Sequence, residues 1–204
     1  RTAATSTNLE PTLQTLPAGR YATSVGVGYE AACALLDNGS VACWGDAGGS
    51  LSGSSILKAY ENDGYVNPVL IPGLGGDVVA TALTVGFASA CVEVASGVPR
   101  CWGSNAWWSL GIGTTGSSYS TPVNLTVTPS GRSVMSLSHG NTHACALLDN
   151  ASVVCWGDNS DGQLGDGTQT ARSSPVWPDL WGRAVASVEA GHRTTCVGFV
   201  DGGA

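Results

Sequence analysis

A motif of fourteen residues recurs along this chain and constrains its fold more than any other feature. The segment Cys33–Asp46 returns as Cys145–Asp158 with two positions changed. A looser copy, Cys91–Ser104, keeps both cysteines, the Trp-Gly pair and the spacing between them. The first cysteines of these copies are 58 and 54 residues apart, and Cys196 follows after 51 more. A repeat of about fifty residues is typical of propellers and other stacked repeat architectures.

Each repeat is predicted to contain four short strands. An alternating segment such as Ser24–Gly28 precedes a strand with the first cysteine, and a tight turn leads to a second cysteine strand that ends in Trp-Gly. The turn Asp37-Asn38-Gly39 favours a hairpin because Asn and Gly tolerate positive φ. A glycine-rich loop and a Pro-Val segment complete the unit. One such unit cannot bury both of its faces, so the repeats must stack on one another.

We therefore predict an all-β chain, a β-propeller segment that covers residues 1–204. Three complete repeats are expected, with the tail of one repeat before them and the head of another after them. The predicted bounds are 1–20 for the tail, 21–77, 78–132 and 133–183 for the three repeats, and 184–204 for the head.

Composition and charge exclude several classes of function. Charged residues make up only 11% of the chain against 43% hydrophobic residues, with 29 glycines and 9 prolines, which indicates a turn-rich globular protein. The net charge is −7 with only eight Lys and Arg residues, so no basic stripe is available for nucleic acid or for an anionic membrane surface. No apolar run approaches the roughly 18 residues of a membrane helix.

Six of the seven cysteines form pairs with nine residues between the two members. If each pair flanks a hairpin, its members face each other on adjacent strands, where Cα atoms about 4.5 Å apart allow a disulfide. Reduced core cysteines would leave the constant spacing unexplained, and a zinc site needs tighter ligand clusters. We predict three disulfides and a secreted or cell-surface protein. The predicted pairs are Cys33 with Cys43, Cys91 with Cys101, and Cys145 with Cys155.

Cys196 is the exception, because it has no partner at the expected spacing. It follows Gly191 by five residues, as Cys33 follows Gly28, so its partner is expected ten positions on, beyond Ala204. We expect either a longer polypeptide cut within a repeat or a subunit whose last hairpin is completed by a neighbour. A leader is also expected in the precursor, since the sequence does not begin with Met.

Three motifs carry a resemblance to a known family. They are Gly-x-x-His-x-Cys-Ala-Leu-Leu-Asp-Asn, Cys-Trp-Gly-Asp-Asn, and the glycine-rich segment 162–168. Together they resemble the regulator of chromosome condensation repeat, most closely in residues 133–183. The resemblance implies a seven-bladed β-propeller of four-stranded blades, in which His143 packs or bonds between blades. The cysteine pairs resemble those of secreted variants of the family.

No sequence motif indicates catalysis, a metal or a cofactor. The segment Gly111–Gly116 matches a dinucleotide pattern, but its glycines align with turn glycines of the next repeat and no strand-to-helix unit surrounds them. The segment Asp158–Gly162 suggests a calcium loop, yet its spacing does not fit an EF-hand, and turn caps are favoured instead. The three histidines have no identifiable nucleophile or carboxylate pair.

Two aromatic residues and three sequons are the candidate interaction and modification sites. Trp107 and Trp108 occupy loop positions that hold Asp161 and Gly162 in the next repeat. They either form an exposed binding anchor or pack onto the insertion between Ser50 and Asn67. Trp177 and Trp181 are expected to pack between blades, and the tryptophans of the Trp-Gly pairs are expected to be structural. Sequons for glycosylation stand at Asn38, Asn124 and Asn150.

These features favour a non-catalytic extracellular scaffold or structural subunit that binds a protein partner or further copies of itself. The alternative is a recognition module that grips a protein or a glycan with its loop face, as implied by the secreted propeller inhibitor of β-lactamase in the same family. The family also implies guanine-nucleotide exchange on a nuclear small GTPase, a function that the low basic charge and the cysteine pairs disfavour.

Overall fold

Three four-stranded antiparallel sheets, called blades 1 to 3, and one hairpin make up the fold. A computed structural model describes residues 14–29, 31–45, 65–114 and 118–203. Blade 1 contains β1 (Ala22–Val27), β2 (Ala31–Leu36), β3 (Val41–Gly45) and β4 (Tyr65–Leu70). Blade 2 contains β5 (Ala80–Val85), β6 (Ser89–Val94), β7 (Arg100–Ser104) and β8 (Ser118–Asn124). Blade 3 contains β9 (Val134–His139), β10 (His143–Leu148), β11 (Val153–Gly157) and β12 (Arg172–Val176). The terminal hairpin contains β13 (Val185–Ala190) and β14 (Thr195–Phe199).

The predicted all-β architecture of four-stranded blades is confirmed, and strands in each blade pair in chain order. Within the described residues, the helical content is one short 3-10 turn, Ala106–Trp108. No helix in the described part of the chain has the length and apolar character needed to cross a bilayer. Residues 1–13 of the predicted tail and most of the insertion after Ser50 lie outside the described residues.

The cysteine pairs fix the register of each central hairpin, as predicted. Disulfides join Cys33 to Cys43, Cys91 to Cys101, and Cys145 to Cys155, with Cα atoms 4.0, 4.1 and 4.1 Å apart. In each blade the two cysteines are directly opposed on the second and third strands. Cys196 on β14 is free and exposed.

The hydrophobic core lies between blades rather than within them. The innermost strands β1, β5, β9 and β13 stand next to one another, so each sheet covers one face of the preceding sheet. Trp102 is buried between blades 1 and 2, and Trp156 between blades 2 and 3. A third cluster around Leu164 and Phe199 lies between blade 3 and the terminal hairpin. Burial of an aromatic side chain at each junction supplies much of the stacking free energy, since burial of a large apolar side chain contributes roughly 1.5–3 kcal/mol.

Among the described residues, no sheet lies against the outward face of blade 1. Val25 and Val27 are exposed there, Val27 to 76%, whereas Tyr29 stacks on Phe87 of blade 2 with ring centroids 4.7 Å apart. A Cβ on Gly26 would point to the opposite face of β1, toward Val85 of blade 2. Trp44, the counterpart of the buried tryptophans of blades 2 and 3, is only half-buried.

The expected packing of Trp177 and Trp181 between blades is not found. Trp177 is 57% exposed and Trp181 is 77% exposed. Trp177 directly follows β12, the outermost strand of blade 3, where the neighbouring terminal hairpin does not reach. Within the described residues, the terminal hairpin packs against β9 and β10, and Trp177 stands beyond those strands.

Candidate functional site

The loops that follow the third strand in blades 2 and 3 share one internal framework. We call residues 105–114 loop 2 and residues 159–168 loop 3. Each begins with a buried asparagine, Asn105 or Asn159, whose side-chain oxygen accepts a backbone N–H five residues on, at 3.2 and 2.9 Å. The amide nitrogen of Asn105 donates to the carbonyl of Thr114 at 2.8 Å, and that of Asn159 donates to Thr168 at 3.0 Å. One buried side chain therefore closes each loop from within.

Loop 3 adds a charged network to this framework. Asp166 accepts hydrogen bonds from Asn159 and from the backbone and hydroxyl of Thr168, and its carboxylate lies 2.7 Å from Arg172 on β12. Desolvation acts to raise the pKa of Asp166, but the bonds from Thr168 and Arg172 outweigh it and lower the pKa to about 2. The carboxylate is thus charged throughout the physiological range and ties loop 3 to the edge of its blade.

Loop 2 presents tryptophans instead of this network. Trp107 and Trp108 lie in the 3-10 turn, both with φ of 60°, a region that costs a non-glycine residue about 1 kcal/mol or more. Trp107 is 54% exposed, and Trp108 is half-buried. The alternative packing partner, the insertion after Ser50, falls mostly outside the described residues. Backbone strain and an exposed indole together make loop 2 the candidate interaction site.

Histidines lie between blades, as the resemblance implied for His143. Nε2 of His143 is 3.0 Å from the hydroxyl of Thr195 on β14, and His143 is fully buried. Burial, followed by the neighbouring His139, lowers the pKa of His143 to about 4, although Asp158 acts in the opposite direction. His139 contacts Ser89 of blade 2 at 3.3 Å, and burial lowers its pKa as well. Both rings are neutral connectors of blades at physiological pH.

The predicted modification sites are on the surface. Asn38, Asn124 and Asn150 are all exposed. Asn38 and Asn150 occupy equivalent turns, where the side-chain oxygen of each accepts a hydrogen bond of 2.7 Å from the serine hydroxyl of its own sequon. Glycosylation of these three asparagines remains a prediction.

The glycine and acidic motifs serve as turns. Gly111 and Gly113 have φ of 62° and 69°, matching Gly165 and Gly167 at 66° and 74°. Asp158 accepts hydrogen bonds from Ser160, which lies in the same turn, and from the hydroxyl of Thr142. No cluster of three or more His, Cys, Asp or Glu side chains suited to a metal occurs within the described ranges.

The buried asparagines are the residues that the sequence analysis did not single out. Asn105 and Asn159 each stand three positions after a core tryptophan, Trp102 or Trp156. That constant offset could have identified the two asparagines as structural residues. Polar residues in a glycine-rich loop, however, are usually interpreted as solvent-exposed turn residues.

Models of the regulator of chromosome condensation (RCC1) repeat match residues 22–48, 136–163 and 151–197. Residues 22–48 and 136–197 thus carry repeats of this family. The E3 ubiquitin-protein ligase HERC2 of Homo sapiens is 29% identical over 163 residues, which are 79% of this chain and 3% of the ligase. The match to the RCC1 repeats confirms the family expected from the Trp-Gly and glycine motifs.

Solved structures with the same fold match this chain at low identity. Prp20p from Saccharomyces cerevisiae, which binds Gsp1p and histones, superposes with a TM-score of 0.72 at 17% identity over 88% of this chain and 44% of its own. The ectodomain of the Physcomitrella patens receptor kinase CR4 gives 0.55 at 22% identity over 91% of this chain and 40% of its own. The chain thus spans less than half of each structure and a small fraction of the ligase.

Proposed function

We propose that this chain belongs to a secreted, non-catalytic β-propeller that acts as a protein-interaction scaffold. The disulfides of the three blades support an oxidising compartment, since such bonds are rare in the cytosol. The receptor kinase ectodomain is an example of the same fold in an ectodomain. The family is compatible with a scaffold role, because its relatives include proteins described by their protein partners.

The observation that supports the scaffold role is an apolar face of blade 1 that none of the described strands covers. Val25 and Val27 are exposed on it, and their spacing of two residues on β1 directs both side chains to the same face. An exposed apolar sheet face marks an interaction surface in a soluble protein. The opposite face of the same sheet is covered by blade 2, so the occupant that best fits the exposed face is another four-stranded blade.

Light scattering after size-exclusion chromatography tests this role directly. We expect the chain to self-associate as its concentration rises, and Val27→Asp to shift it to monomer, because a charge would be buried in the contact. Val98→Asp is the matched control, since Val98 is exposed on a turn of blade 2. A chain that stays monomeric at all concentrations would count against assembly through blade 1.

Mass spectrometry of the protein tests the disulfide bonds that an extracellular location requires. Alkylation without reduction should label one cysteine, Cys196, and alkylation after reduction should label all seven. Glycosidase treatment should lower the mass if any of the sequon asparagines is occupied. Labelling of more than one cysteine in the unreduced protein would contradict the extracellular proposal.

A second candidate function is recognition of a glycan or protein through loop 2, favoured by the exposed and strained Trp107. Aromatic rings on a rigid loop provide stacking surfaces for sugar rings and anchors for protein. We expect soluble chitin or cellulose oligosaccharides to quench tryptophan fluorescence, and Trp107→Ala to abolish the response. Trp181→Ala, at the other highly exposed tryptophan, is the control. Equal responses from both variants would place the binding elsewhere.

A further inference from the structure

A cavity of about 270 Å³ lies beside the hairpin turn of blade 3. One wall is the turn and the start of β11, and the other is the segment 177–184 that leads from β12 to β13. The lining includes a sequon asparagine, Asn150, and an exposed indole, Trp177. The volume is just below the usual range of small-molecule sites, about 300–1,000 Å³, so the cavity suits one sugar ring better than an extended ligand.

The sequon at this cavity is presented for modification. Asn150 is exposed and holds its turn through its side-chain oxygen. That oxygen accepts hydrogen bonds from the backbone N–H and the hydroxyl of Ser152, at 3.2 and 2.7 Å. The amide nitrogen, to which an N-linked sugar is joined, has no hydrogen-bond partner among the described residues. A sugar on that nitrogen therefore leaves the turn intact.

The exposure of Trp177 belongs to its position in the repeat. Leu70, Asn124 and Trp177 are equivalent, because the residue before each of them pairs with the second cysteine of its blade. Leu70 is 47% exposed and Asn124 is exposed as well, although a complete blade follows each of them. A neighbouring blade thus does not cover this position, and the indole is available to a ligand in the cavity.

Blade 1 has the same turn without the indole. The side-chain oxygen of Asn38 accepts hydrogen bonds from the backbone and hydroxyl of Ser40, at 3.2 and 2.7 Å, and Leu70 stands in the place of Trp177. Blade 2 has Ser96 at the turn and hence no sequon there. An indole presents a flat π face to the C–H groups of a sugar ring, which a leucine does not. Of the three blades, blade 3 alone combines a turn sequon with an adjacent indole.

We propose that Asn150 carries an N-linked glycan whose first N-acetylglucosamine occupies this cavity and stacks on the indole of Trp177. The proposal rests on the secreted location proposed above, because this sugar is attached in a secretory pathway. In the attachment, Nδ2 of Asn150 forms a bond to the anomeric carbon of a lipid-linked oligosaccharide pyrophosphate. The bond from that carbon to the pyrophosphate oxygen breaks, the lipid pyrophosphate leaves, and the nitrogen loses one proton.

The attached sugar then acts as part of the fold. Its covalent bond to the turn keeps it at a high effective concentration beside the indole, and stacking removes exposed apolar surface from water. The glycan also leaves the candidate site on loop 2 open, since the hairpin turns precede the third strands whereas loops 2 and 3 follow them, at the opposite ends of the blades.

Two samples of one sequence test the stabilisation by the sugar. The chain with Asn38→Asp and Asn124→Gln retains only the sequon at Asn150, and aspartate keeps an acceptor oxygen in the turn of blade 1. Secretion from mammalian cells that make high-mannose glycans, followed by endoglycosidase H, gives the chain with one N-acetylglucosamine. Export to a bacterial periplasm gives the chain without it. We expect the sugar to raise the folding equilibrium constant about fivefold in urea denaturation, which corresponds to about 1 kcal/mol.

Two variants assign this difference to the indole. Trp177→Leu, which introduces the residue found at the equivalent position of blade 1, should abolish the difference between the two samples. Trp181→Leu is the matched control, because that indole is 77% exposed but does not line the cavity, and the fivefold difference should persist. Nuclear Overhauser contacts should join the sugar protons to the indole of Trp177. A difference that survives Trp177→Leu, or a sugar without those contacts, would overturn the docking.

Secretion and modification are measured separately by the intact mass of the unreduced chain. A secreted chain with its three disulfides and a bare Asn150 would overturn this site and leave the scaffold proposal standing. A chain that stays in the cell, or that has reduced cysteines in its blades, would overturn the secreted location and this site with it.

Discussion

Blades 2 and 3 have the same strands, the same disulfide and the same asparagine-closed loop, yet they stabilise their loops differently. Loop 3 uses Asp166 and Arg172, where blade 2 has the apolar Ile112 in place of the aspartate. Blade 3 carries the buried His143 where blade 2 has Ser89. The difference teaches that loop 2 keeps its asparagine-closed conformation without the charged network of loop 3, which leaves its outer positions free to carry a pair of tryptophans.

The largest expected effect is at the tryptophan that joins the two blades. Trp156→Ala should lower the free energy of unfolding by about 3–5 kcal/mol, because the indole is 1% exposed and lies on loop 2. Trp107→Ala, which removes a surface indole, should change it by about 0.5 kcal/mol or less. Urea denaturation followed by circular dichroism measures both. Similar losses of unfolding free energy would mean that Trp107 stabilises the fold as much as Trp156 does, which would contradict its description as a surface residue.

The next largest effect is a loss of folding stability at low pH, which arises in blade 3 from His143. The pKa of His143 is about 4 in the fold against an ordinary 6.5, so the unfolded chain binds more protons between these values. Stability should therefore fall by about 3 kcal/mol as the pH drops from 7 to below 4. His143→Ser, which introduces the residue found at the equivalent position of blade 2, should reduce the dependence of stability on pH. Denaturation curves taken between pH 7 and pH 4 measure it.

His139 provides the control for this measurement. Burial lowers its pKa in the same direction, so part of the slope should remain in His143→Ser and disappear when His139 is also replaced. A slope that is unchanged by His143→Ser would assign the acid sensitivity to other groups.

Features that repeat were predictable from the sequence. The cysteine spacing predicted the register of three hairpins, and the recurring Trp-Gly placed Trp102 and Trp156 in the core. The exposure of Trp177 could not be predicted, because it depends on how far the next sheet extends over blade 3.

The buried asparagines of loops 2 and 3 should contribute different amounts to the free energy of unfolding. Asn159→Ala should cost about 2–3 kcal/mol, because it leaves the buried N–H of Leu164 unpaired and also removes a donor to Asp166. Asn105→Ala should cost about 1–2 kcal/mol, since it leaves only Leu110 and Thr114 without partners. Thermal unfolding of both variants provides the measurement. A larger loss for Asn105 would contradict the view that loop 3 depends on the more extensive network.

The smallest effect concerns the hairpin turns of the same two blades. Blade 2 has Gly97 with φ of 100°, whereas the equivalent Ala151 of blade 3 adopts φ of 61°. An alanine in this region is strained by its Cβ, so Ala151→Gly should stabilise the protein by about 0.5–1 kcal/mol, even after the greater freedom of glycine in the unfolded chain is included. Gly97→Ala should have the opposite effect of about 1 kcal/mol, and it isolates the backbone because a Cβ there would meet no atom within 4 Å. Both changes are measured by urea denaturation. Stabilisation by Gly97→Ala would show that the two turns differ in more than the residue at this position.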